Sequence, residues 1–461
     1  MTSYMLSSHR KALLFLLLSG AVSIIWGSYI AAGSSSGLGA FKAIYYPARC
    51  LQRHIDPYNV SALQQEYAAE GGKFPLGASE ESLFRRAMLT CVNLPTSFLL
   101  VMPLAILPWK IAATIWMVIN ASLLPLAAIL IWNVASKSAL KPSTLLVCLL
   151  LANAEQVLGL GNLAGIVVNL TVIAVWCFLE GRFAFAGVIC LAVSLALKPH
   201  DAGFVWLYFL LAGGANRKRA LQTLGVTALL ALPAILWISH VAPHWLDELR
   251  ANLHTLSAHG SVNDPGPDSP TFRSADTVIS LQAMFSLIRD DPRFYNLASY
   301  LTCGILLLAG AIRVLRTPFS KQNAWLALAA ISALSMLPVY HRPYDAKLLL
   351  LAIPACAWLW SEGGRLKWIA GLVTTLAILS TADVPATVLL VIMKSVNGGL
   401  AGVWGKLMTA FVFHPAPLVL LSTGVFYLWV YFRRTAQEKR HPVKAGGSLG
   451  RAIEAHNGAV L

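Results

Sequence analysis

The segment Leu13–Ala32, LLFLLLSGAVSIIWGSYIAA, decides the fold of this chain. It carries no charged residue, and a helix of about 20 residues is long enough to cross roughly 30 Å of hydrocarbon. Arg10 and Lys11 precede it, as in a signal peptide, but the run is too long for one and lacks a clear small-residue cleavage site. The segment therefore predicts a first transmembrane helix whose N-terminus lies in the cytosol.

Apolar runs of similar character recur along the rest of the chain. Hydrocarbon offers no partner for backbone polar groups, so helices are the expected spanning structure, and the alternating segments of a β-barrel are not seen. With the broken run 183–211 counted once, we expect an all-α polytopic integral membrane protein of about twelve transmembrane helices. The further runs are 88–109, 111–134, 144–160, 163–179, 183–211, 220–241, 297–311, 324–340, 346–360, 368–379 and 407–432.

Composition and charge agree with this class. The chain is 57% hydrophobic and 12% charged, about half the charge of a soluble domain. The net charge of +15 collects in short clusters at run ends, such as Arg217–Arg219, which is typical of cytoplasmic loops and not of nucleic-acid binding. Both termini are therefore expected in the cytoplasm. One loop, 136–143 with Lys137 and Lys141, falls on the outer side by this count and violates the rule.

The predicted organisation is one multi-span membrane domain, residues 1–432, and a basic, disordered cytoplasmic tail, residues 433–461. Two long polar segments, 33–87 and 242–296, fall on the same outer face. Each is too long for a tight connection and is expected to carry short interfacial helices.

Three polar groups interrupt or flank the apolar runs. Lys198-Pro199-His200-Asp201 predicts either an anion site at a helix kink or a Lys–Asp pair that satisfies itself. The stretch 341–347, with His341, Arg342 and Lys347, is either a phosphate site or a plain outer turn. The stretch 155–162, from Glu155 to Asn162, is either a site or a close-packed cytosolic turn.

The order of these pieces resembles a known family. Ala40–Leu51 reads AFKAIYYPARCL and is followed by Asp56-Pro57-Tyr58, then Asn93-Leu94-Pro95, PLAILPW at 103–109, Gly161-Asn162, ALKP at 196–199, and His341 to Asp345. This order is similar to that of the family-87 glycosyltransferases of the GT-C superfamily, which include polyprenyl-phosphate-mannose-dependent mannosyltransferases. The resemblance covers roughly residues 10–360.

The resemblance implies a GT-C-like membrane glycosyltransferase of the cell envelope. Such an enzyme takes a mannose-like hexose or a pentose from a polyprenyl-phosphate donor and passes it, usually with inversion, to a lipid-linked or glycan acceptor on the outer face. It implies a bacterial inner membrane with the site on the periplasmic side. The expected partners are membrane lipids, the donor and the acceptor, without nucleic acid. No cofactor is expected besides the donor as co-substrate, and no metal, because no cluster shows ligand spacing in the sequence.

The resemblance also suggests roles for individual residues. A phosphate leaving group needs cations and the acceptor hydroxyl needs a base. The candidates are Lys198, His200 and Arg342 for the donor phosphate, His341 for catalysis, and Tyr45, Tyr46, Tyr344 and Asp345 for the substrate lining.

The sequence departs from the family at the presumed base. The family's first outer loop opens Asp-Phe-x-x-x-Tyr, and alignment on Phe41 and Tyr45 places Ala40 at the Asp. Asp56 is a candidate substitute, although it also suits a turn or helix cap. Otherwise the protein is inactive or the alignment is shifted. A transporter or flippase of lipid-linked sugars and a non-catalytic scaffold are the alternative functions.

Overall fold

The structure of the protein, a computed structural model, describes residues 2–33, 37–72, 80–272, 278–395 and 402–440. All regular structure in these ranges is helical, which confirms the all-α fold. Within these ranges, seven helical segments are long and apolar enough to cross a bilayer, and an eighth is obtained if the bent pair Gly364–Ser380 and Asp383–Leu389 counts as one span. The number of about twelve spans stays a prediction.

The helices are numbered α1 to α21 in chain order. A 3₁₀ helix, Asp345–Ala352, precedes α17, and a π-helical turn, Thr409–Phe413, follows α20. The α-helices are Thr2–Gly33, Gly39–Gln52, Val60–Ala69, Glu80–Met88, Pro95–Ala105, Trp109–Ala135, Leu140–Leu151, Glu155–Gly159, Leu163–Glu180, Ala184–Leu197, Pro199–Leu211, Gly214–Val241, Trp245–Ser257, Leu281–Ile288, Pro292–Leu315, Lys321–Leu334, Ile353–Glu362, Gly364–Ser380, Asp383–Ser395, Gly402–Met408 and Ala416–Arg440.

One end of the helical bundle, which we call the basic end, collects arginines and lysines. Arg219 at the start of α12 donates to the carbonyl of Phe178 in α9 at 2.8 Å. Nζ of Lys321 lies 2.5 Å from a carboxylate oxygen of Glu180 at the end of α9. Arg434 in α21 pairs with the last residue of α17. These contacts place the ends of α9, α17 and α21 and the starts of α12 and α16 side by side.

The opposite end, which we call the site end, holds both long polar segments. The backbone N–H of Leu38 donates to Gly159 at 2.9 Å, so the first polar segment rests on the break 159–162. Asn252 in the second polar segment donates to the carbonyl of Tyr58 in the first at 2.9 Å. The break 159–162 therefore lies on the same side of the bundle as the two polar segments.

The run 88–109 does not form a span. Helix α5 within it has 11 residues, about 16 Å of rise against roughly 30 Å of hydrocarbon. Pro108 lies between α5 and α6, and α6 begins at Trp109. The ring of Trp109 stacks on that of Phe41 in α2, with the ring centroids 5.5 Å apart. Because α6 starts at the site end, Lys137 and Lys141 lie at the basic end, and the apparent violation of the charge rule disappears.

The run 183–211 forms two antiparallel helices and not one kinked span. The last residue of α10, Leu197, accepts a hydrogen bond from Ser97 of α5 at the site end. In α11, Phe209 packs edge-on against Phe178 near the basic end, with centroids 5.0 Å apart. Lys198 is thus the tip of a helical hairpin at the site end. Pro199 suits the first position of α11 because its missing N–H would have no helical partner there.

The last helix extends into the predicted tail. Helix α21 runs to Arg440, so the first basic residues after 432 continue the helix. The remaining tail, residues 441–461, lies outside the described residues. Helix α9 is central in the bundle, with 83% of its residues buried.

Candidate functional site

A buried ionic cluster surrounds Lys198 at the site end. Its Nζ lies 2.5 Å from Oδ1 of Asp345 and 3.0 Å from Oδ2 of Asp201. Asp201 and Asp345 are 3% and 1% exposed. An ammonium group has three N–H donors, so the two carboxylates leave one donor of Lys198 for a further acceptor. The self-satisfied pair expected as one alternative is present, and a second carboxylate has joined it from 144 residues further along the chain.

The turn 341–345 holds the second carboxylate in place. The backbone N–H of Arg342 donates to Oδ2 of Asp345 at 2.7 Å. In turn, the backbone N–H of Asp345 donates to the carbonyl of Arg342 at 2.9 Å. The ring of Tyr344 lies 5.8 Å from Nζ of Lys198, within cation–π range. The structure therefore brings Lys198, Tyr344 and Asp345 together.

Two imidazoles complete the cluster. Nε2 of His341 lies 3.2 Å from Oδ1 of Asp201, and Nε2 of His200 lies 3.6 Å from the same oxygen. The rings meet edge to face with centroids 5.2 Å apart. His341 is buried, whereas the His200 side chain is 41% exposed. His200 is thus the most exposed member of the cluster, ahead of Lys198 at 15%.

Arg342 contacts the second polar segment. Its Nη2 donates to the carbonyl of Val262 at 2.8 Å and approaches Oδ1 of Asn263 at 3.3 Å. Its guanidinium lies 5.2 Å from the ring centroid of Tyr340. Arg342 is buried and ties the turn 341–345 to the second polar segment. These contacts use the N–H donors of Nη2 for hydrogen bonds within the protein.

Tyr45 and Tyr46 pack within the first polar segment. The hydroxyl of Tyr45 donates to the carbonyl of Leu107 at 2.9 Å and accepts from Arg49 at 2.8 Å. The ring of Tyr46 stacks on Trp109. Both tyrosines are buried, and none of their described contacts reaches the Lys198 cluster.

Ala40 lies in the first turn of α2. Its N–H donates to the carbonyl of Leu160 at 3.0 Å, beside the break 159–162. The side chain is half-buried. The position is therefore at the site end, as the resemblance implies for the family's carboxylate.

Asp56 lies in the turn after α2 and pairs with a second carboxyl group. Its Oδ1 accepts the backbone N–H of Tyr58 at 2.8 Å, the turn role that its sequence context favours. Glu248 of α13 hydrogen-bonds with the Asp56 side chain. The described contacts of Asp56 join the two polar segments and do not include the Lys198 cluster.

The contact between Asp56 and Glu248 is expected to weaken as the pH rises. The hydrogen bond with Asp56 and partial burial raise the pKa of Glu248 to about 7 from an ordinary 4.5. A raised carboxyl pKa contributes stability that is complete below about pH 4.5 and is lost as the pH passes about 7. Hydrogen exchange of the α13 amides should therefore accelerate between about pH 6 and pH 8 beyond its intrinsic pH dependence.

The variant Glu248→Gln should remove this excess acceleration, because an amide does not ionise. The matched control is Asp247→Asn, whose carboxylate is 75% exposed and should leave the excess unchanged. An excess that persists in Glu248→Gln would contradict the assignment.

A second ionic cluster lies where α8 meets the start of α19. Nζ of Lys347 donates to the Asn153 carbonyl at 2.5 Å, and Asp383 accepts the backbone N–H of Gln156 at 3.0 Å. Lys347 interacts electrostatically with Glu155 and Asp383, which are both buried. Sequence reasoning singled out Glu155 but missed Asp383. The available signal was an ionisable residue just after the apolar run 368–379.

Two apolar grooves flank α11. The first, of about 400 Å³, lies between α10, α11 and α12 and reaches Pro199 and His200; we call it the α12-side groove. The second, of about 340 Å³, lies between α11, α15, α16 and α21 and is the α15-side groove. Phe204 and Leu207 line both. The α12-side groove is therefore an apolar channel that has the imidazole of His200, a member of the charged cluster, in its wall.

The family model of glycosyltransferase family 87 matches residues 92–337. The matched region contains the Lys198 hairpin and both sides of the α12-side groove, and it ends just before the turn 341–345. No curated protein and no solved structure matches the chain.

Proposed function

The chain belongs to glycosyltransferase family 87, and we propose that it takes a sugar from a polyprenyl-phosphate donor at the site end of the bundle. The sugar, a mannose-like hexose or a pentose, passes to a lipid-linked or glycan acceptor. One observation carries the proposal: an apolar groove along α11 ends at His200, inside a cluster that also holds Lys198. A lipid phosphate needs an apolar channel that ends at hydrogen-bond donors.

The chemistry of the transfer can be assigned to the cluster. The acceptor oxygen bonds to the anomeric carbon while the bond between that carbon and the phosphate oxygen breaks. The phosphate leaves with the bonding electrons, and Lys198 and His200 stabilise its charge. The acceptor proton passes to a base. His341 beside Asp201 is the best-supported group for this role, since position 40 carries no carboxylate and Asp56 pairs with Glu248.

Charge distribution supports the orientation. Arginines and lysines collect at the basic end, which includes Lys137, Arg219 and Arg434. The positive-inside rule assigns that end to the cytoplasm. The site end, with both polar segments and the Lys198 cluster, then faces the periplasm of a bacterial inner membrane. Membership of a glycosyltransferase family favours an enzyme over a transporter of lipid-linked sugars.

The donor class can be tested with a variant that fills the α12-side groove. Gly203 lines this groove, and a Cβ built on it meets nothing within 4 Å. Purified protein is expected to transfer radiolabelled sugar from polyprenyl phosphate to membrane lipids or glycan and not from a nucleotide sugar. Gly203→Trp should raise KM for the long-chain donor about tenfold or more, equal to about 1.4 kcal/mol of lost binding.

The matched control is Gly225→Trp in α12. A Cβ built on Gly225 also meets nothing within 4 Å. Gly225 is exposed, but it does not line the groove. Its KM should stay at the wild-type value. Transfer from a nucleotide sugar alone, or equal effects of both substitutions, would overturn the proposed donor site.

A further inference from the structure

We propose that His200, Asp201 and His341 form a binding site for a divalent transition-metal ion. The three side chains come from the start of α11 and from the turn 341–345, and their ligand atoms all lie within 4.8 Å of one another. The proposal rests on this geometry and refines the role given above to His341. It replaces the expectation of no metal, which followed from sequence spacing alone, because His341 lies 140 residues beyond Asp201.

The spacing of the ligand atoms suits a single ion. At metal–ligand lengths of about 2.0–2.2 Å, neighbouring ligand atoms of a tetrahedral or octahedral ion lie about 3.0–3.5 Å apart. Oδ1 of Asp201 lies 3.2 Å from Nε2 of His341 and 3.6 Å from Nε2 of His200. The third pair, one nitrogen each of His200 and His341, lies within 4.8 Å, and His200 is the exposed member of the three.

Two of the three ligand atoms have no other hydrogen-bond partner. Among the described residues, Oδ1 of Asp201 and Nε2 of His341 are buried and make no hydrogen bond. They lie 3.2 Å apart, and because Nδ1 of His341 faces the carbonyl of Val339 and carries the proton of the neutral ring, both atoms are acceptors and neither can donate to the other. Unpaired buried polar atoms are costly. A shared cation between them would satisfy both.

The surroundings of His341 favour metal binding by its Nε2. Nδ1 lies 3.0 Å from the carbonyl of Val339, so Nδ1 carries the proton and Nε2 presents its lone pair. A metal-bound imidazole is commonly held in this way by a carbonyl on its other nitrogen. Lys198 faces the other oxygen of Asp201, Oδ2, and therefore leaves Oδ1 to the ion.

The ligand set indicates the class of ion. Two imidazoles and one carboxylate suit Zn²⁺, Mn²⁺, Fe²⁺ or Co²⁺ and disfavour Mg²⁺ and Ca²⁺, which prefer oxygen. Three protein ligands would leave coordination positions for a substrate oxygen, and His200, the exposed ligand, lines the α12-side groove. A bound ion could polarise the donor phosphate or lower the pKa of the acceptor hydroxyl. Either action would compensate for the missing carboxylate at Ala40, with His341 as a ligand instead of a base.

Metal binding can be measured without any sugar substrate. Full-length protein, purified in detergent with a tag that lacks histidine, is stripped with a chelator and titrated with Co²⁺. The expected result is about one Co²⁺ per chain by mass spectrometry, with visible absorption bands that Zn²⁺ abolishes. His200→Ala and His341→Ala should each weaken Co²⁺ binding at least about tenfold.

The control variant is His259→Ala. His259, Asp268 and Asp290 form a second group of possible ligands, but all three are exposed. This substitution should leave the affinity and the spectrum unchanged. The proposal is overturned if the stripped wild-type protein binds no Co²⁺, or if His259→Ala abolishes binding while His200→Ala does not. Because no donor is present, either result leaves the proposed glycosyl transfer to be judged separately.

Discussion

Replacing Lys198 by Met is expected to abolish glycosyl transfer and to lower the free energy of unfolding by about 3–5 kcal/mol. The substitution keeps the length of the side chain but removes the cation from between Asp201 and Asp345, both nearly fully buried. Two adjacent carboxylates would then lack their shared counter-ion. Thermal unfolding in detergent measures the loss of stability, and radiolabelled transfer measures activity.

Two further variants separate the stability effect from the catalytic one. Lys141→Met makes the same change at an exposed site of the basic end and should alter neither quantity. In the double variant Lys198→Met with Asp345→Asn, one negative charge is removed together with the cation. Stability should recover in part while transfer stays absent, since the phosphate still lacks its cation. Wild-type transfer by Lys198→Met would remove this residue from the mechanism.

Ala40→Asp is expected to raise the rate of transfer about 100-fold, the lower range of what a positioned general base contributes. The backbone can accommodate the change. Ala40 lies in the first turn of α2 and is half-buried, and a carboxylate near a helix N-terminus is favoured by the helix dipole. The measurement is kcat with polyprenyl-phosphate sugar at saturating acceptor.

The isosteric control is Ala40→Asn, which adds the same volume without a base and should leave kcat unchanged. A gain shared by both variants would point to packing against the break 159–162 instead of proton transfer. No gain from Ala40→Asp in an otherwise active enzyme would show that the family's base is not needed at this position.

The candidate site was partly accessible to sequence reasoning. Lys198 and the stretch 341–345 were selected separately as ionisable groups next to apolar runs, where charges are costly. The structure joins them through the contact of Lys198 with Asp345. Asp201 was noticed only as a neighbour of Lys198, yet it contacts Lys198, His200 and His341. Its role depends on a turn 140 residues away, which no local pattern reports.

Other assignments depended on packing that the sequence does not contain. Tyr45 and Tyr46 share a motif with Ala40, but the helix turns them toward Leu107 and Trp109. Arg342 was predicted to bind the donor phosphate, and the structure adds a hydrogen bond from its guanidinium to the carbonyl of Val262 in the second polar segment. An arginine offers the same donors to a phosphate and to a carbonyl, so only its neighbours distinguish the two uses.

The sequence by itself determined the all-α membrane class, because uncharged runs such as Leu13–Ala32 have one stable solution in hydrocarbon. It also determined the family resemblance, which the match over residues 92–337 confirms. The tertiary structure decided which apolar runs cross the bundle. Hydropathy reports only whether a run tolerates lipid. The structure shows that α5 ends at Ala105 and that α10 and α11 meet in a hairpin at Lys198, with Pro199 as the first residue of α11. The packing of these helices brings the first polar segment, which follows Leu13–Ala32, to the same end of the bundle as the break 159–162 and the Lys198 cluster.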